Sequence, residues 1–194
     1  MPCRSFIVLL LFLRSSSPLT FLLNKPHNTL CSHSDPTSSV PTVYSLLPAS
    51  PKKWHTVGRL DKKTTGALLC TTDTKLVEYG TSGSVEKRYR AVCMGRLSEE
   101  QVCSLREGID LKGGLGFSDA CEVDVLDIGK RNTVLEICLR QGKNRQIRRM
   151  LHEVGSGVID LERVKIGGLV LGDLERGEFR EVNEEELKET IGYG

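Results

Sequence analysis

The hydrophobic period of this chain changes three times between Lys87 and Gly155, and the order of those changes restricts its fold more than any other feature. KRYRAVCMG, from Lys87 to Gly95, alternates apolar and polar positions as a half-buried strand does. SEEQVCSLREG then takes helical spacing. Ser98 with Gln101 forms a capping box ahead of Val102 and Leu105, and Gly108 ends the run. ACEVDVLDIG and NTVLEICLRQG return to strand patterning as an antiparallel pair turned at Gly129 to Asn132. RQIRRMLHEVG carries Ile147, Met150, Leu151 and Val154 at helical spacing and stops at Gly155. Strand, helix, hairpin and helix do not make a regular βαβ alternation, so the expected class is α+β.

Elsewhere TFLLNKP (Thr20 to Pro26) reads as the first strand and ALLCTT as a buried one, with KLVEYG a short helical turn and VIDLERVKIGG a further strand. Asn183 with Glu186 caps a last helix. Pro26 to Pro51 is loop-like around one apolar piece, VYSLL. A length of 194 residues suits one domain, expected over 20–194. Residues 1–19 hold an apolar run, FIVLLLFL, between Arg4 and RSSSP, too short to span a bilayer, which takes about 20 residues. A cleaved leader, an ill-defined gene start and an extra apolar strand all remain open. The leader would direct the chain to a mitochondrion or plastid; otherwise the expectation is cytoplasmic, with no membrane contact in the mature form. The seven cysteines contain no C-x-x-C pair and the four histidines are scattered, so no metal site is expected. A net charge of +2 does not by itself point to a polyanion partner.

Two stretches have the makings of chemistry. RQGKNRQIRR (Arg140 to Arg149) holds five basic residues and no acid, and delivers a turn into a helix. It reads either as a solvated basic face or as a phosphate-binding edge. Arg145 and Arg149 are expected away from the apolar stripe, whereas Arg148 lies next to it and turns inward only toward something negative. Asp61 is the candidate partner. Set between Leu60 and a buried strand, it stays charged only if paired; ordinary turn chemistry in DKKTTG is the alternative.

VGRLDKKTTGALL, Val57 to Leu69, resembles the catalytic motif of RsuA-type pseudouridine synthases, enzymes that isomerise uridine within ribosomal RNA. FLLNKP, KRY, QGKNRQIRRM, LERVKIGG and the LxxGEFR from Leu174 follow in the family's order. The resemblance implies a central, mostly antiparallel sheet flanked by helices, with an RNA-binding cleft, and chemistry that uses no cofactor. It implies that Asp61 is the catalytic carboxylate, attacking either the anomeric carbon or the base. Arg148 pairs with it, Tyr89 stacks on the uracil and helps remove the carbon 5 proton, and Leu161 packs the pocket. Arg59 holds the flipped backbone, Arg145 and Arg149 meet RNA phosphates, and Lys25 either touches RNA or ends its strand. Thr64, Thr65 and Gly66 shape the loop presenting Asp61.

Three departures stand out. Some 19 residues precede the first strand where the family often has a small RNA-binding domain, which bears on RNA affinity and site choice. Pro26-His27-Asn28 replaces P-x-G, and Thr72-Asp73-Thr74 replaces an N-D-G-like turn, which must then take another form. The leading expectation is a monomeric ribosomal RNA pseudouridine synthase. A non-catalytic RNA-binding or ribosome-assembly factor is the alternative, and a small-molecule hydrolase using Asp61 is disfavoured by the lack of a nearby His or a metal cluster.

Overall fold

A computed structural model describes residues 18–33 and 39–194. Within them the strands are β1 (Thr20–Lys25), β2 (His55–Thr56), β3 (Thr65–Thr71), β4 (Lys87–Met94), β5 (Glu122–Ile128), β6 (Asn132–Leu139), β7 (Val158–Ile166), β8 (Leu169–Val170) and β9 (Phe179–Glu181). The helices are α1 (Thr74–Thr81), α2 (Glu99–Glu107), α3 (Gln146–Glu153) and α4 (Glu184–Ile191), and VYSL (Val43–Leu46) is a 3₁₀ turn. The strands form one sheet in the order β5-β6-β4-β7-β3-β1-β9, with β2 beside β3 and β8 beside β7. Every pairing is antiparallel except β3 with β7. The α+β expectation and the mostly antiparallel sheet are both met.

Burial explains the two kinds of strand. β1 and β3 are buried at every position because apolar clusters cover both faces: Leu22, Leu69, Leu76 and Leu187 on one side, Phe21, Leu23, Trp54, Leu60 and Leu68 on the other. Their apolar runs are therefore continuous. β4 instead turns Ala91 and Cys93 toward a third cluster beneath α2 and α3, and keeps Arg90 exposed.

The helix ends follow from local chemistry. The Ser98 hydroxyl accepts from the Gln101 amide and the Gln101 carbonyl oxygen accepts from the Ser98 amide, completing the box on α2. Asn183 accepts from the Glu186 amide at 2.8 Å, but the Glu186 carboxylate binds Arg180 rather than returning to the cap. Both departures in the turns have structural answers. Asn28 takes φ +60°, the left-handed region that glycine favours and asparagine tolerates. Asp73 starts a helix instead of a turn, accepting from the Lys75 amide.

Of the segment expected as a leader, residues 1–17 lie outside the described residues. Leu19 is buried, and its amide donates to Thr72 Oγ1 at 2.9 Å. No helix among the described residues is long and apolar enough to cross a membrane.

Candidate active site

Asp61 sits on a tight turn between β2 and β3, closed by the Thr64 amide donating to the Asp61 carbonyl at 3.0 Å. The turn is gripped from both ends. Leu60 is buried in the core beside Trp54, while Lys25 comes up beneath with its Nζ donating to the carbonyls of Thr64 (2.9 Å), Pro26 (3.1 Å) and Lys62 (3.4 Å). Gly66 closes the far side, at φ +101° where β3 meets β7, and a Cβ there would run into the Arg163 backbone.

β4 supplies Tyr89. Arg88 pairs with Lys165 and Tyr89 with Arg163, so Val164 is an extra residue in β7, a bulge at the level of the tyrosine. α3 supplies the basic groups. Arg148 Nε lies 3.5 Å from Asp61 Oδ2, and its Nη2 donates to Thr64 Oγ1 at 3.2 Å. Arg145 Nη1 also lies 3.5 Å from Asp61 Oδ2. The two pairs differ in solvent: the Arg148 side chain is 14% exposed and that of Arg145 53%. Burial pushes the Arg148 guanidinium below its ordinary value, with Asp61 opposing the shift.

Asp61, Arg59, Tyr89, Arg145, Arg148 and Leu161 line one pocket, so the structure brings these expected residues together. Arg59 is exposed at the rim and makes no ion pair among the described residues. Of the two readings of Lys25, the strand end is the one met: it closes β1 fully buried, its ammonium spent on three backbone carbonyls, and it holds the Asp61 turn. Arg149 is likewise engaged, donating to the carbonyls of Asn144 (3.2 Å) and Leu111 (3.3 Å), which ties α3 to the 110–117 loop. Arg145 also departs from the outward position expected for it. It precedes the first helical turn at φ +51°, so its side chain leaves the helical path toward Asp61.

Three contributors fall within the matched motifs LERVKIGG and QGKNRQIRRM but carried no role there. Arg163 is 3% exposed, donates from Nε to the Ala67 carbonyl at 2.6 Å, and stands 6.0 Å from the Tyr89 ring centroid. Gln141 and Gln146 line the pocket itself. From the pocket a basic trough continues past Arg59, Lys62, Lys143 and Lys53 toward His33 and Tyr44, whose rings stack at 4.2 Å.

The sequence model of a family described as RNA pseudouridylate synthase matches residues 20–153. Ribosomal small subunit pseudouridine synthase A of Haemophilus influenzae is 32% identical over 176 residues, spanning 88% of this chain and 73% of that protein. The protein of that name from Escherichia coli K12 is 32% identical over 179 residues, spanning 90% and 74%. A crystal structure of a pseudouridylate synthase matches with TM-score 0.79 at 31% identity, covering 90% of this chain and 74% of that one.

Proposed function

The chain belongs to the RNA pseudouridylate synthase family, and from that premise we propose that it isomerises uridine in ribosomal RNA, with Asp61 as its nucleophile. The observation that carries this reading is the Asp61 carboxylate held by Arg148 in one pocket with Tyr89 and Leu161. The target base is inaccessible within a stack, so the nucleotide enters flipped out, at a cost of a few kcal/mol. Stacking on Tyr89 returns about 1 to 3 kcal/mol.

Asp61 then forms a bond to the nucleotide, at the anomeric carbon or on the base, and the bond between the anomeric carbon and N1 breaks. The freed uracil turns and rejoins through carbon 5, the carboxylate leaves, and the proton on carbon 5 is lost as N1 takes one up. Atoms and electrons balance without an outside reductant, oxidant or water. Arg148 holds the Asp61 carboxylate in place, while Arg59 and Lys62 line the path of the backbone. The relatives' names make small-subunit ribosomal RNA the first substrate to try.

The test is to treat unmodified ribosomal RNA transcripts with the protein and map new pseudouridines by carbodiimide adducts that stop primer extension. A discrete stop is expected with the wild type and none with Tyr89→Phe, which keeps the stacking ring but loses the hydroxyl. Binding without any new pseudouridine in any ribosomal RNA would return the chain to the non-catalytic alternative.

A further inference from the structure

Buried polar atoms in a folded chain nearly always have partners, and an orphan calls for an explanation. Among the described residues eight buried side-chain atoms have none, and four of the eight belong to the pocket that holds Asp61: Gln146 Nε2, both amide atoms of Gln141, and Arg148 Nε. Arg148 Nε at least faces the Asp61 carboxylate. Gln146 Nε2 and both Gln141 amide atoms have no hydrogen-bond partner among the described residues.

Gln146 is the sharper case. It is 4% exposed, and its Oε1 accepts from the Lys143 amide at 3.0 Å. That bond settles the orientation of the amide, leaving Nε2 as a donor stranded in the pocket. Capping the turn needs only the oxygen. A glutamate would make the same bond, suit a helix N-terminus better and strand no donor, though it would set a second carboxylate in the pocket of Asp61. The cap alone therefore does not account for an amide here.

We propose that Gln146 and Gln141 read the Watson–Crick edge of the flipped base, Gln146 donating to a ring carbonyl and Gln141 meeting the imide beside it. Uracil presents acceptor, donor, acceptor along O2, N3–H and O4. Gln146 offers one donor, and the amide of Gln141 one acceptor and one donor, which together complement that edge. Cytosine presents acceptor, acceptor, donor, so it fits only if the Gln141 amide turns over to set its donor against N3. Half a turn about the N3–C6 axis exchanges N1 with C5 and O2 with O4, so the edge looks the same before and after the base rotates. A reader of this kind keeps its hydrogen bonds through the step that redirects the glycosidic bond.

This inference rests on the site assignment above, and its test separates the two. Ribosomal RNA transcripts are labelled with tritium at carbon 5 and made with uridine, 4-thiouridine or 2-thiouridine; sulfur is a weaker acceptor than oxygen. Tritium release is measured as kcat/KM for the wild type, Gln146→Met, Gln146→Glu and Asp61→Asn. Because each comparison uses the same pair of RNAs, effects of sulfur on RNA folding cancel between proteins. The wild type is expected to lose about tenfold on at least one thio-RNA, one hydrogen bond's worth. Gln146→Met should be slower on uridine RNA but discriminate oxygen from sulfur by less than about threefold, a coupling that a structural role alone would not give. Gln146→Glu, which retains the Lys143 bond, should show the same loss of discrimination and covers the case in which the Met variant fails to fold. Unchanged discrimination in both variants would overturn the inference while leaving the site assignment intact. Undiminished release by Asp61→Asn would overturn the site assignment itself.

Discussion

Replacing Arg148 and Arg145 in turn should separate two arginines that stand at the same distance from the same oxygen. Both lie 3.5 Å from Asp61 Oδ2, where an effective dielectric of about 20 gives each an attraction of about 5 kcal/mol. What survives of that depends on solvent. The half-exposed Arg145 is screened, and exposed pairs retain about 0 to 1 kcal/mol, so Arg145→Ala should cost turnover less than about fivefold. Arg148 is largely buried and also donates to Thr64 Oγ1, so its removal leaves both the carboxylate and the turn unsupported. A loss of about 3 kcal/mol in transition-state stabilisation corresponds to roughly 150-fold in kcat. Arg148→Lys should recover only part of it, because one ammonium does not span Asp61 and Thr64 as the fork does. The assay is single-turnover tritium release at saturating protein, with RNA affinity measured alongside. An Arg145→Ala loss equal to that of Arg148→Ala would refute the reasoning. So would an Arg148→Ala protein with normal turnover and a reduced salt dependence of binding.

Other consequences can be checked on the same protein. Lys25→Met strips the donor from three carbonyls around the Asp61 turn and should cost about 3 to 5 kcal/mol in urea unfolding, with turnover falling more than RNA affinity. Burial, with Arg163 and Arg140 nearby, pushes the Lys87 ammonium down to about 8. The native state therefore bears the cost of a buried charge below that pH and sheds it between about pH 8 and the unfolded value near 10.5. Lys87→Met should accordingly raise the melting temperature at pH 7, with the advantage gone by about pH 10.5. Arg149→Ala should leave the salt slope of RNA binding unchanged and loosen the 110–117 loop, whereas Arg59→Ala should flatten that slope by about 0.7, the value for one phosphate on a single strand.

What the sequence revealed was mostly local. The α2 capping box, the β5–β6 hairpin and the apolar stripe of α3 each depend on residues a few positions apart, and all three are where periodicity put them. Although the charge pattern alone left turn chemistry open for Asp61, Asp61 and Arg148 were legible through the motifs that contain them, GRLDKKTTG and QGKNRQIRRM. Lys25 was not: its burial depends on carbonyls that arrive from a turn 37 to 39 residues later. Arg163, in a strand of alternating charge, reads as a solvent-facing residue until the parallel neighbour β3 brings the Ala67 carbonyl to it. The helical-wheel argument misplaced Arg145 because a residue at φ +51° is not yet on the wheel.

The most direct test of the central claim is tritium release from carbon 5 of uridine in unmodified ribosomal RNA, comparing the wild type with Asp61→Asn. The account predicts release by the wild type and none by the variant, with RNA binding preserved in both. Equal release by the two proteins, or none by either with binding intact, would contradict it.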